Sequence, residues 1–279
     1  MIRSTTGIFS VLFFLFIWNP VFGFAGQAQN AFNEGLKFYK SGRYKEAVAA
    51  FNRAITAAPK ADEAYNNRGL AYAKLGQNDS AIKDFDEALK LNPKLTEAQF
   101  NRGMIYYNQK HYDRAVKDYD EVIKQEPKTP KVFLQRGLAF LNLKQFDKAV
   151  QDFNQAQKLE PKDAEIYYGR GLAHRRLGKN DLAVQDYSEA IKLEPKNAET
   201  YNNRANAYSL LGKYDEAVTD YDEAIKLDGK NGKVYANRGM VKLRQKKGED
   251  AQKDFKKALE LEPGLKDKIE PYMTPAKGK

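Results

Sequence analysis

DEAYNNRGLAYAKLGQNDSAIKDFDEALKLNPKL, residues 62–95, sets the register of almost the whole chain. Its proline, Pro93, recurs as Pro59, Pro127, Pro161, Pro195 and Pro263 at multiples of 34 residues, with Gly229 in the remaining slot. Counting back from each gives seven units: 28–61, 62–95, 96–129, 130–163, 164–197, 198–231 and 232–265. A fixed period of this length is the mark of a solenoid, in which each unit buries its apolar face against the next. Within 62–95, Tyr65, Gly69, Tyr72 and Leu75 share one face of a first helix, and Ala81, Phe85 and Ala88 share one face of a second. Gly76 between them suits a left-handed helix end, and Pro93 closes the unit because proline cannot continue a helix.

Two columns of small residues run through the units. One is Gly35, Gly69, Gly103, Gly137, Gly171, Ala205 and Gly239; the other is Ala47, Ala81, Ala115, Ala149, Ala183, Ala217 and Ala251. Glycine inside a helix costs about 1 kcal/mol relative to alanine, so its recurrence predicts a close approach of two helix backbones. An aromatic column, Phe51, Phe85, Tyr119, Phe153, Tyr187, Tyr221 and Phe255, fills the space beside it.

The period, the small columns, the aromatics Tyr72, Tyr106 and Phe140 and the terminal prolines resemble the tetratricopeptide repeat (TPR) family over about 238 of 279 residues. The resemblance implies an all-α, right-handed solenoid of seven helix-turn-helix units whose concave face, lined by first helices, binds other proteins. Departures from the family pattern are Ala31 and Gln99 in place of a bulky aromatic, and His174 and Lys242 in place of a tyrosine.

Charge and composition narrow the function. There are 47 basic and 37 acidic residues, a formal charge of +10. That balance leaves a basic surface binding nucleic acid or an anionic envelope polymer as the alternative reading. The charges are interspersed, with no long basic run, so nucleic acid is not expected as a partner. The absence of cysteine excludes disulfides, thiol catalysis and cysteine metal sites. His111 and His174 are the only histidines and lie in different units, which predicts no metal site. No phosphate loop or nucleophile elbow occurs, and the carboxylates follow the repeat. We therefore expect no enzymatic activity, no cofactor and no metal.

Residues 1–25 differ from the rest. Arg3 precedes an uncharged apolar run, GIFSVLFFLFIW at 7–18, and Asn19 and Pro20 break it. Small residues at Gly23 and Ala25, or at Gly26 and Ala28, then supply peptidase sites. This is the layout of a secretory signal peptide; an uncleaved N-terminal anchor is the other reading, since extension to Ala25 brings the run near the roughly 20 residues of a span. Either reading makes the repeats extracytoplasmic, periplasmic or secreted, with membrane attachment only through 1–25 if uncleaved. At the other end, residues 266–279 read as a short capping turn that Pro271 stops, followed by a disordered tail.

Six units carry an arginine before the small column and an aspartate before the aromatic column: Arg68 and Asp84, Arg102 and Asp118, Arg136 and Asp152, Arg170 and Asp186, Arg204 and Asp220, Arg238 and Asp254. Pairing within a unit leaves none orphaned, whereas pairing with the next unit strands Arg68 and Asp254. We read them as structural ion pairs. The first unit has Glu34 and Ala50 in these slots. Thr129, Asp163, Asn197 and Asn231 occupy a helix N-cap slot.

The binding residues are sought on the first helices. Asn33, Asn67, Asn101, Gln135, Asn203 and Asn237 form one column, broken only by Gly169. Three residues on stand Leu36, Leu70, Met104, Leu138, Leu172, Asn206 and Met240. An amide offers both donor and acceptor, so a stripe of amides beside a stripe of apolar residues suits an extended peptide segment of another protein. The amide column is similar to the asparagine ladder in the repeats of O-linked N-acetylglucosamine transferase. The dicarboxylate clamp of the family needs Lys and Asn four apart at one pair of slots on a first helix; those slots hold Phe32 and Leu36, Phe100 and Met104, or Leu134 and Leu138, and Asn202 with Asn206 comes nearest but lacks the lysine.

Overall fold

The structure is a computed structural model that describes residues 26–273. The leader at 1–25 and the tail at 274–279 lie outside the described residues. Fifteen α-helices and one short 3-10 turn account for the described chain, with no strand among them. None of these helices is long and apolar enough to cross a membrane. The chain divides into two compact bodies, with the boundary between Lys128 and Thr129.

The first body holds three helical pairs: α1 (Gly26–Lys40) with α2 (Tyr44–Ala57), α3 (Asp62–Lys74) with α4 (Asn78–Leu91), and α5 (Thr96–Asn108) with α6 (Tyr112–Gln125). The second holds four: α7 (Pro130–Asn142) with α8 (Phe146–Leu159), α9 (Ala164–Arg176) with α10 (Asn180–Leu193), α11 (Ala198–Leu210) with α12 (Tyr214–Leu227), and α13 (Gly232–Arg244) with α14 (Gly248–Leu261). A final helix, α15 (Lys266–Met273), follows the 3-10 turn at Pro263–Leu265.

Each pair is closed by the same chemistry. After α3 the Gly76 backbone turns left-handed, at φ +74°, and the Gln77 amide donates to the Tyr72 carbonyl at 2.9 Å. That bond satisfies a carbonyl the helix end would otherwise leave open. Glycine supplies this geometry four times, but Lys110, Lys144 and Lys246 adopt it in three units, at φ 59–65°. In the second body the Asp163, Asn197 and Asn231 side chains accept from backbone amides of α9, α11 and α13. Thr129 holds the equivalent place before α7, but its side chain does not cap the helix; Pro130 opens α7 with a ring already set to helical φ.

The core is the aromatic column against the small column. Phe51, Phe85, Tyr119, Phe153, Tyr187 and Phe255 are fully buried, and each phenylalanine contributes about 1.5–3 kcal/mol by leaving water. A Cβ on Gly69 would lie 2.9 Å from Phe85 Cε1 and one on Gly137 2.9 Å from Phe153 Cε1. The closest neighbour of the small column is therefore the edge of the unit's own aromatic ring, rather than the partner helix backbone foremost. Gly169, the break in the amide column, has the same cause: a Cβ there would sit 2.6 Å from Phe153 Cζ.

The C-terminal cap differs from its reading in sequence. Pro271 lies inside α15 and does not stop it. The helix is short enough to lose one backbone bond, and Gln252 Nε2 donates to the Tyr272 carbonyl at 2.8 Å, holding its end. Leu265 and Ile269 bury themselves on Ala251, Phe255 and Ala258.

Candidate functional site

The arginine column is organised by its partners. Arg68 Nε and Nη2 donate to the two carboxylate oxygens of Asp84 at 2.8 and 2.6 Å. The same two-pronged pair joins Arg102 to Asp118, Arg136 to Asp152, Arg204 to Asp220 and Arg238 to Asp254, while Arg170 binds Asp186 through Nε and Nη2. All are pairs within a unit. The remaining guanidinium nitrogen reaches back to the second helix of the preceding unit. Arg68 donates to Asn52 at 2.6 Å, Arg102 to Asp86 at 2.6 Å, Arg204 to Ser188 at 2.9 Å, and Arg238 to Asp222. Each of these acceptors directly follows an aromatic-column residue, a second row that sequence reading missed. The arginines also stack on aromatics of their own helix: Arg68 on Tyr65 and Tyr72, Arg204 on Tyr201 and Tyr208.

Burial raises the Asp84 and Asp118 carboxyls above the usual range, although the arginine bonded to each pulls the other way. At these carboxyls desolvation thus outweighs the attraction of the arginine, so the pairs act as pins between helices. With their acids matched, these arginines are not free to hold a ligand. The first unit inverts the arrangement: Glu34 in the arginine slot accepts from Arg53 at 2.6 Å in an exposed pair.

The amide column is more enclosed than a ladder of surface residues. In the first body Asn33 is exposed, whereas Asn67 and Asn101 are buried. Asn67 Nδ2 donates to the Glu63 carbonyl on its own helix, and Asn101 Nδ2 donates across to Asn66 Oδ1 at 3.3 Å. Asn66 Nδ2, Asn67 Oδ1 and Asn101 Oδ1 have no protein partner. Leu36 is half-buried, and Leu70 and Met104 are buried. Glu63 lies on the same helix; burial, and then the charges of Asp62 and Glu97, push its carboxyl up to about 7.

In the second body Gln135 and Asn203 are buried and Asn237 half-buried, with Leu138, Leu172, Asn206 and Met240 half-buried alongside. Neighbouring first helices are linked through these side chains. Asn203 Nδ2 donates to Tyr168 Oη at 3.1 Å, and Tyr168 Oη donates to Glu199 Oε1 at 2.8 Å. Asn206 Oδ1 accepts from Tyr221 Oη at 2.8 Å and from Asn237 Nδ2 at 3.2 Å. Asn206 departs from the aliphatic column and gives the tyrosine beneath it an acceptor. In the first body Met104 Sδ does the same for Tyr119 Oη at 3.3 Å. Tyrosine in the aromatic column does not by itself signal this pairing, since Tyr187 has Leu172 in the same place. Among the described residues no group of three or more His, Asp or Glu side chains is placed to hold a metal ion.

Models of the tetratricopeptide repeat match residues 32–96, 67–131, 140–178, 171–212, 198–231 and 232–264. No curated protein matches the chain. Among solved structures, a tetratricopeptide repeat protein from Parabacteroides merdae ATCC 43184 is 22% identical with a TM-score of 0.66, over 90% of this chain and 100% of that one. YrrB, described as a TPR protein with an unusual peptide-binding site, is 21% identical with a TM-score of 0.60, over 71% of this chain and 98% of its own. The APC/C hetero-tetramer Cut9–Hcn1 matches at 17% identity and a TM-score of 0.65, over 86% of this chain and 48% of that one. At these identities the likeness is one of fold.

Proposed function

Since the chain belongs to the tetratricopeptide repeat family, we propose that it is a non-catalytic interaction scaffold that holds an extended polypeptide segment of another protein against its first helices. The observation that carries this reading is the row of half-buried aliphatic side chains on first helices of the second body, Leu138, Leu172 and Met240, with the amides of Asn202 and Asn237 half-buried on the same helices or their neighbours. An amide offers both donor and acceptor to a peptide backbone, whose alternate side chains can rest on those aliphatics. The peptide-binding site ascribed to YrrB and the Cut9–Hcn1 assembly support a protein partner. The apolar run at 7–18 supports a place in the cell envelope, exported or held by an uncleaved anchor.

Selection of a random dodecapeptide phage library on the full chain tests the binding mode. Recovery of peptides with alternating apolar residues is expected. Recovery of none, with DNA or heparin bound in a steeply salt-dependent way, would replace this reading with the polyanion one. Fusion of residues 1–40 to a reporter active only in the periplasm tests the location. An active reporter is expected; a soluble cytosolic protein beginning at Met1 would overturn it.

A further inference from the structure

Two slots that are polar in the other six units hold leucine on neighbouring helices of the second body. The last residue of the first helix is Lys40, Lys74, Asn108, Asn142, Arg176 or Arg244 elsewhere, but Leu210 in α11. The third residue of the second helix is Glu46, Ser80, Arg114, Lys148, Glu216 or Asp250 elsewhere, but Leu182 in α10. A short turn joins α10 to α11 and the two helices pack together, so the start of α10 lies level with the end of α11. Leu210 is 61% exposed, more than any other large apolar side chain among the described residues, and Leu182 is 41% exposed. Packing within the chain therefore accounts for neither. Cations flank them. The first helices α9, α11 and α13 touch in that order, so Leu210 stands between Arg176 and Arg244 in one row. Both arginines are exposed, and neither forms an ion pair among the described residues, in contrast to the arginine column. Arg244 is steadied over the Tyr214 ring at 6.0 Å. The acids of this edge, Asp181, Asp215 and Glu216, stand on the second helices, and Asp215 already accepts from Gln245 Nε2 at 2.7 Å.

We infer that the row Arg176, Leu210 and Arg244 is a docking surface for an acidic segment of the bound protein, with one apolar side chain on Leu210 and Leu182 and a carboxylate on each arginine. The charges are complementary, and a guanidinium matches a carboxylate with two parallel bonds. Packed helices lie about 10 Å apart and an extended chain advances about 3.3 Å per residue. The acids therefore fall about three residues to either side of the apolar one. The inference rests on the scaffold reading above and adds to it the residue classes the ligand carries across the last turns of α9, α11 and α13.

The test is the same dodecapeptide phage selection, read by position and repeated with two full-length variants, Leu210→Lys and the double variant Arg176→Gln, Arg244→Gln. All three side chains are exposed, and lysine is what two other units carry in the Leu210 slot, so the fold is kept. On the wild type, Asp or Glu should be enriched about three residues to either side of an apolar residue. A recovered peptide should weaken about tenfold when its acids become Asn or Gln, and that difference should shrink as salt rises. The double arginine variant should lose the acidic preference and keep the apolar one, whereas Leu210→Lys should lose the central apolar preference. Peptides recovered without this pattern, or with acids unchanged in the arginine variant, overturn the docking surface and leave the scaffold standing. A wild type that self-associates in sedimentation while Leu210→Lys stays monomeric puts a second copy on the leucines and also overturns it. Recovery of no peptide by any of the three proteins overturns both readings.

Discussion

His174 Nδ1 lies 2.8 Å from Asp186 Oδ2, in a slot that Tyr72, Tyr106 and Tyr208 fill in other units. The one other residue in this column that is neither Phe nor Tyr behaves alike: Lys242 Nζ is 2.9 Å from Asp254 Oδ2. In both units the arginine has lost one of its two stacking rings, keeping only Tyr167 or Tyr235, and the aspartate has gained a second nitrogen. The substitutions exchange stacking for a hydrogen bond within the same cluster. His174→Ala should therefore lower stability by about 1–3 kcal/mol, since it leaves a buried carboxylate oxygen short of a bond, while His174→Tyr should stay within about 1 kcal/mol. Urea unfolding followed by circular dichroism measures both.

Asp220→Ala strands the Arg204 guanidinium among Tyr201, Tyr208 and Ser188. A loss of about 3–5 kcal/mol is expected for one broken partner of an enclosed pair. The exposed Lys226, paired only with Glu223 on its own helix, should change stability by less than about 0.5 kcal/mol when replaced by alanine. Equal melting temperatures for the two variants would show that the arginine column is a surface feature.

Lys110, Lys144 and Lys246 hold a left-handed backbone that costs an L-residue about 1–2 kcal/mol. Glycine removes that strain at some cost in chain entropy. Each Lys→Gly change should thus stabilise by about 0.5–1 kcal/mol, whereas Gly76→Ala should destabilise. Thermal melts of the single variants decide the sign.

Glu63 and Glu165 are both pushed up to about 7, Glu63 by burial and then Asp62 and Glu97, Glu165 by burial and then Asp163 and Glu194. A carboxyl raised in the folded state binds its proton more tightly there than in the unfolded chain. Its contribution is therefore fully present below the unfolded value near 4.5 and is lost as pH rises through about 7. The wild type should lose stability between pH 5 and pH 8, and a Glu63→Gln, Glu165→Gln double variant should lose less. Parallel curves for the two proteins would contradict the assignment.

The repeat, the unit boundaries and the aromatic core were legible because one 34-residue pattern is written again and again, so each column averages out local accident. What was not legible lies between columns. The aromatic-to-glutamine change at Gln99 looks disruptive in sequence. Yet Gln99 Nε2 donates to the Pro93 carbonyl at 3.0 Å, the bond that Tyr167 Oη makes to the Pro161 carbonyl at 3.0 Å. Amide burial was likewise hidden, because the helical period places a side chain on a face without stating how close the next first helix comes. Pro271 was misread because a rule for long helices was applied to the last turns of a short one.

Binding of a recovered dodecapeptide to two full-length variants tests the central claim most directly. One carries Leu138→Ser, Leu172→Ser and Met240→Ser on half-buried positions of the first helices; the other carries Lys253→Gln, Lys256→Gln and Lys257→Gln on the last helical pair. With helicity confirmed for each, fluorescence anisotropy should show affinity reduced on the order of tenfold or more in the first and little changed in the second. Full affinity in the first with loss in the second would place binding on the basic C-terminal end and contradict the account.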